Sequence, residues 1–208
     1  MMNKLMLSVL SGVLVMAVFG LPKQGMAESS MKNTEIETAV FAGGCFWCTE
    51  SDFDKVRGVV ETTSGYIGGH KTNPTYKEVS AGGTGHTEAV KIEYDPGQVS
   101  YAELLKVFWR SIDPTTPDAQ FCDHGSQYRS GVFYLNEEQK RLAMASKSAL
   151  DKNKPFKEAI VTEITQASMF YPAEDYHQNY HDRNPVRYKY YRWGCGRDAR
   201  LEELWGKG

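Results

Sequence analysis

Two cysteines three residues apart, Cys45 and Cys48, lie in the run Phe41-Ala-Gly-Gly-Cys45-Phe-Trp-Cys48-Thr-Glu50. The reactive form of cysteine is the thiolate, which is favoured where unpaired N–H groups and the positive end of a helix dipole converge. Free cysteine elsewhere behaves as a small, inert hydrophobe. The double glycine, the start of a helix and the second cysteine argue for the reactive alternative at Cys45. A second candidate is Glu88. In Thr87 to Tyr94 it shares one face with Val90, Ile92 and Tyr94. Burying a carboxylate is costly unless it is paired or protonated. Glu88 is therefore either solvated at the strand end or a carboxyl of raised pKa able to donate a proton. His177 and His181 are four apart, with Glu174 one turn before, a spacing that permits metal ligation. The pattern lacks the His-Glu-x-x-His order, and a solvated polar face is the reading preferred. Gly82-Gly-Thr-Gly-His86 lacks the lysine and spacing of a phosphate loop.

These residues need elements to hold them. Ala39 to Ala42 reads as a buried strand, Gly43-Gly44 as a tight turn, and Phe46 to Val56 as a helix with Phe46, Phe53 and Val56 in step. Cys45 then sits at the strand-to-helix junction. Gly58 to Tyr66 and Thr87 to Tyr94 read as strands. Ser100 to Ile112 reads as a helix opened by a Ser100/Glu103 capping box, with Trp109 used for packing. Asp113 to Gln127 is a long loop carrying Cys122, and loops of this length are often functional. Arg129 to Leu135 is a strand, Asn136 caps a polar helix reaching about Lys152, and Ala159 to Ile164 is a short strand. Pro172 to His181 reads as a helix with proline at its first position. Cys195, between Gly194 and Gly196, lies in a flexible tail before a short helix through Leu201, Leu204 and Trp205. Short strands, long irregular loops and hairpin-like returns indicate an α+β two-layer domain.

The chain has 208 residues and a formal net charge of −2. A basic start, an apolar stretch from Leu5 to Gly20, and small residues ending at Ala27 read as a cleavable signal peptide over residues 1–27. The stretch is short for a bilayer span of about 20 residues, so the mature form is expected to have no membrane span. Cleavage removes Lys4 and Lys23 and no acid, which takes the charge to −4. No basic face suggests nucleic acid. Residues 28–37 form a polar leader, and residues 38–208 suffice for one domain with its own core. Export to the periplasm or medium means an oxidising compartment.

At this point the residues resemble a known family. Gly44-Cys45-Phe46-Trp47 after a strand is similar to the signature of the A-type methionine sulfoxide reductases, the peptide-methionine (S)-S-oxide reductases. Asn73 to Val79, Gly85 to Val90, Asp123 to Ser130 and Ala173 to Gln178 also look like family motifs, in order along nearly the whole mature chain. The resemblance implies a two-layer α/β sandwich with a ferredoxin-like core. It implies that Cys45 attacks the sulfoxide sulfur and that Glu88 protonates its oxygen. Tyr76 and Tyr128 then bind that oxygen, Asp123 supports the polar side, and Phe46 and Trp47 box the S-methyl group. No bound cofactor or metal is implied. The electrons come from a thioredoxin-like dithiol, the substrates are oxidised proteins and peptides, and a monomer is the default expectation.

The resemblance implies a resolving thiol in the C-terminal tail. Here Cys195 is the candidate for a first disulfide with Cys45, and Cys48 stands where many members have glycine and offers a second route. Cys122 reads as a structural cysteine near the pocket. Two other functions fit some of the residues. A general thiol–disulfide oxidoreductase would use Cys45 and Cys48 but leaves Glu88, Tyr76 and Tyr128 unexplained. A metal module would use Cys45, Cys48, Cys195 and a histidine.

Overall fold

The computed structural model describes residues 35–207, so the expectations for residues 1–27 and most of the polar leader fall outside the described residues. Three alternating apolar stretches build the centre of the sheet: β1 (Glu37–Gly43), β2 (Val59–Ile67) and β3 (Thr87–Tyr94). Two-residue strands β4 (Ala119–Gln120) and β5 (Asp123–His124) form a separate hairpin. The main sheet continues with β6 (Ser130–Tyr134), β7 (Glu163–Gln166) and β8 (Tyr171–Pro172). The order is β7-β6-β1-β3-β2-β8. The pairs β6/β1, β1/β3 and β3/β2 are antiparallel, and only β7 runs parallel to its neighbour.

Helix α1 (Phe46–Phe53) connects β1 to β2, the five-residue α2 (Tyr76–Ser80) lies between β2 and β3, and α3 (Tyr101–Arg110) leads from β3 towards β6. Strands β6, β1, β3 and β2 with α1 and α3 make the ferredoxin-like βαββαβ unit. Helix α4 (Glu137–Asn153), capped by Asn136 through Gln139 N–H at 2.8 Å, packs beside α3. The chain closes with α5 (Tyr180–Arg183), α6 (Pro185–Gly194) and α7 (Arg197–Trp205).

Alternation along β1 divides its side chains between two apolar layers. Ala39 and Phe41 face the helices, while Val40 and Ala42 join Ile67, Ala89 and Phe133 on the other face beneath Ala167 and Phe170. Phe41 is the hub of the helix side. Its ring stacks on Phe53 of α1 at 5.3 Å, Phe108 of α3 at 5.0 Å and Tyr101 at 5.9 Å. The capping box of Ser100 and Glu103 is present, and Trp109 is buried with its N–H donated to Ser146 Oγ at 3.0 Å.

Several boundaries differ from the sequence reading. The first helix stops at Phe53 instead of Val56, and the strand expected at Ala159 to Ile164 begins only at Glu163. Pro172 does not open a helix. It pairs with Gly65 as the short edge strand β8, where a residue without an N–H is tolerated, and only the 3-10 turn Asp175–His177 and then α5 follow. His177 and His181 therefore share no continuous helix. The tail expected to be flexible is helical on both sides of Cys195, with Gly196 at φ +70° making the break between α6 and α7.

Phe41→Ala leaves a void among three rings and is expected to lower unfolding stability by about 3–5 kcal/mol. Urea denaturation of wild type and variant in the same thiol–disulfide state measures it.

Candidate active site

The site begins where β1 gives out. Gly44 turns the chain at φ +82°, and a Cβ there would lie 2.5 Å from Gln120 Cβ, so the turn and the close approach both require glycine. Cys45 follows as the N-cap of α1, its carbonyl accepting Cys48 N–H at 3.1 Å and Thr49 N–H at 3.2 Å. The first free N–H of the helix, Phe46 N–H, donates to Glu88 Oε2 at 2.9 Å. Cys45, Phe46, Trp47, Tyr76, Glu88, Asp123 and Tyr128 all line one cavity of about 80 Å³, and Tyr191 joins them.

Burial sets the protonation states. Glu88 is 2 % exposed, and desolvation pushes its carboxyl up to about 8 against the opposing Phe46 N–H bond. Asp123 and Cys48 raise it further, so at neutral pH Glu88 is a protonated acid with one oxygen held by the helix. The Cys45 thiol is also raised, first by desolvation and then by its hydrogen bond to Cys48 and the nearby Glu88. Cys48 is lowered to about 7, first by the hydrogen bond from Cys45, with Arg197 and Arg192 adding positive charge. The expectation that the helix start would ionise Cys45 is therefore corrected. Burial is the first cause, and the Phe46 N–H at the helix start goes to Glu88. Tyr76 is pushed up to about 12, and Tyr128 is raised as well, both mainly by burial. They stay phenols and remain donors.

The C-terminal third orients these groups. Trp47 Nε1–H donates to His177 Nδ1 at 3.0 Å, and its indole stacks on Tyr180 at 3.7 Å. Glu174 accepts Tyr76 N–H at 2.8 Å and Tyr66 O–H at 2.9 Å, fixing the start of α2. Tyr191 O–H donates to Asp123 Oδ2 at 2.6 Å and lines the same cavity as Cys45. Arg197, 1 % exposed, donates to Gly43 O at 3.1 Å and Ser111 O at 2.8 Å. Its guanidinium lies 4.5 Å from the centre of the Phe121 ring. One cation thus touches the approaches to Cys45, Cys122 and Cys195.

Cys45 and Cys48 are free and buried, whereas Cys195 is bonded to Cys122 across 73 residues. The partner of Cys195 in this state is thus Cys122, which the sequence alone reads as structural, and not Cys45. The same bond takes Cys195 out of the metal set considered above. His177 and His181 also point to different partners, His177 to Trp47 and His181 to Glu50 and Asp54.

Comparison with known proteins bears on this arrangement. Residues 37–208 match the family model described as peptide methionine sulfoxide reductase. The chain belongs to the peptide methionine sulfoxide reductase family. A peptide methionine sulfoxide reductase MsrA from Bacillus licheniformis is 49% identical over 171 residues, covering 82% of this chain and 94% of the relative. The reduced form of Mxr1 from Saccharomyces cerevisiae aligns with a TM-score of 0.69 at 32% identity, covering 74% of this chain and 88% of that one. The same yeast protein in complex with Trx2 aligns with a TM-score of 0.51 at 24% identity over 71% of this chain and 86% of that one, a likeness of fold. The reaction of this reductase is the return of methionine S-sulfoxide in peptides to methionine.

Tyr191, Glu174 and the Cys122 bond were not identified from the sequence. Tyr191 stands in Tyr188-Lys-Tyr-Tyr191-Arg, where nothing marks one tyrosine as inward until the helix is placed. Glu174, on a face whose preferred sequence reading is solvated and polar, instead accepts from a backbone N–H and a phenol.

The protonation states predict a bell-shaped rate of methionine formation in single turnover. The rate rises through about pH 7 as the thiol pair loses its first proton and falls above about pH 8 as Glu88 loses its own. Glu88→Gln is expected to remove the falling limb and lower the maximum on the order of 100-fold. Rapid-quench measurements from pH 5 to 10 on both proteins decide it.

Proposed function

We propose that Cys45 is the nucleophile and Glu88 the general acid of sulfoxide reduction. The observation that supports this most directly is a protonated, buried carboxyl held by Phe46 N–H beside a buried thiol in one aromatic cavity. The sulfoxide methyl lies against Phe46 and Trp47, whose faces suit a polarisable sulfur. Tyr76 and Tyr128 donate to the sulfoxide oxygen, and Asp123, held by Tyr191, supports the polar wall. Cys48 accepts the Cys45 proton as Cys45 attacks sulfur, while Glu88 gives its proton to the oxygen. In the resulting adduct the hydroxyl passes from the substrate sulfur to Cys45 Sγ as the Cys45–sulfur bond breaks, so methionine leaves with the electron pair and Cys45 becomes a sulfenic acid, oxidised by two electrons.

Cys195 attacks that sulfenic sulfur and releases water, giving a Cys45–Cys195 disulfide. Cys122 then displaces Cys45 from Cys195, which leaves the Cys122–Cys195 bond and returns the Cys45 thiol to the cavity. A thioredoxin-like dithiol reduces this last bond. A general thiol–disulfide oxidoreductase using Cys45 and Cys48 is disfavoured. These thiols are 6 % and 2 % exposed, and exchange needs access to sulfur. Among the described residues no helix is long and apolar enough to cross a membrane. We further propose export with cleavage after Ala27, a reading supported by the basic start, apolar stretch and small residues of residues 1–27. N-terminal sequencing of protein secreted by expressing cells tests it, with Glu28 expected first.

Cys45→Ser is expected to abolish reduction of the S epimer, and the R epimer should not be consumed by wild type. Activity of the variant above background would remove Cys45 from its role. Cys195→Ser should form one equivalent of methionine, accumulate sulfenic acid at Cys45 and fail to recycle with thioredoxin. Cys122→Ser should stop at Cys45–Cys195, and Cys48→Ser should recycle. Intact mass and peptide mapping after one equivalent of substrate distinguish these states. A first bridge between Cys45 and Cys48 in wild type would overturn the order.

A further inference from the structure

Val186, Trp193 and Tyr190 are the three most exposed large apolar side chains among the described residues, at 82 %, 76 % and 72 %. All lie on α6, spaced i, i+4 and i+7, so they form a single stripe on one helix face. The rings of Tyr190 and Trp193 are 6.1 Å apart. The inward face of the same helix packs Tyr188 and Tyr191 against the Cys45 and Cys48 cluster. An aromatic stripe left in water marks a contact surface. Its end says what the contact is for. α6 ends at Gly194, and the next residue is Cys195 of the disulfide.

The two sulfurs of that disulfide are not equivalent. Cys122 is exposed, whereas Cys195 is half-buried. Cys122 N–H is directed at Cys195 Sγ at 3.3 Å, and Cys195 directly precedes Gly196, the N-cap of the nine-residue α7. The N–H favours negative charge on Cys195 sulfur, whereas the N-terminal end of α7 is offset by the C-terminal end of α6, which Cys195 caps. Asp123 Oδ2, 3.9 Å from the same sulfur, opposes it, but its carboxyl is raised by burial and accepts the Tyr191 O–H. Exchange is fastest where the attacked sulfur is accessible and the leaving thiolate is stabilised.

We infer that a dithiol protein docks on the Tyr190 and Trp193 face of α6 and attacks Cys122, expelling Cys195. This rests on the reading that a protein dithiol recycles the enzyme. The donor thiolate bonds to Cys122 Sγ as the Cys122–Cys195 bond breaks, and Cys195 leaves as a thiolate and takes a proton from solvent. The second donor thiol then attacks the donor sulfur of the mixed disulfide and releases Cys122. The donor ends as a disulfide, oxidised by two electrons, and the enzyme ends with both thiols. Attack at Cys122 leaves Cys195, the resolving thiol, beside the catalytic cavity for the next cycle.

The test uses the oxidised full chain and a bacterial thioredoxin whose second active-site cysteine is replaced by serine, so that the mixed disulfide is trapped. Peptide mapping is expected to find the donor on Cys122, and a link to Cys195 would overturn the assignment. Trp193→Ala with Tyr190→Ser should slow trapping about 10-fold, as removal of a central aromatic contact does. Reduction by dithiothreitol and single-turnover methionine formation should not change. An unaltered trapping rate, or an effect confined to the KM for peptide sulfoxide, would overturn the docking face. Failure of unmodified thioredoxin to turn over wild-type protein that dithiothreitol recycles would instead count against protein-dithiol recycling itself.

Discussion

The hydrogen bond from Phe46 N–H to Glu88 is the point on which the rest of the site depends. It joins the first free donor of α1 to the one acid on the buried face of β3, and so fixes the distance between sheet and helix where chemistry occurs. A carboxylate there without partners would be too costly, and a fully bonded one would be a poor acid. One backbone donor and deep burial leave Glu88 held in place yet protonated at neutral pH. The same burial raises the neighbouring Cys45 thiol, with Cys48 and Glu88 adding to it. Burial in one cavity thus raises both Cys45 and Glu88, the proposed nucleophile and acid, above their ordinary values.

Around that bond the labour divides by position in the chain. The ferredoxin-like unit supplies Cys45, Glu88, Phe46 and Trp47, the proposed nucleophile, acid and aromatic box, from the β1–α1 junction, α1 and β3. The segment after β7 contributes orientation. His177 fixes the indole, Glu174 fixes the first turn of α2, Tyr191 holds Asp123, and Arg197 satisfies the carbonyls of Gly43 and Ser111. These groups are held by residues more than 60 positions away in the chain.

That division explains what the sequence could disclose. The strand periodicity of Thr87 to Tyr94 placed Glu88 on the buried face, and Ser100 and Asn136 announced two helix starts, because each signal is contained within a few residues. The ferredoxin-like core was legible through family resemblance, since strand order depends on long-range pairing that no local pattern encodes. The segment from Pro172 to Gly196 departs from its local pattern for the same reason, while the helix through Leu201, Leu204 and Trp205 is present. Pro172 pairs with Gly65 across the sheet, and His177 turns inward to meet Trp47, so tertiary partners decide both. Helix position alone also does not show how deeply the Cys45 thiol is buried, which is what raises it most.

The disulfide between Cys122 and Cys195 also makes stability a function of the catalytic cycle. Closing a loop across 73 residues restricts the unfolded chain, worth about 4 kcal/mol in the chain-entropy picture. Thermodynamic linkage then requires that whatever the bond adds to the fold, the fold adds to the bond's resistance to reduction. The oxidised enzyme waiting for its donor is the sturdier molecule, and the reduced enzyme ready for substrate is the looser one. A cell short of reductant would thus accumulate this reductase in its more durable form, preserved rather than degraded until electrons return.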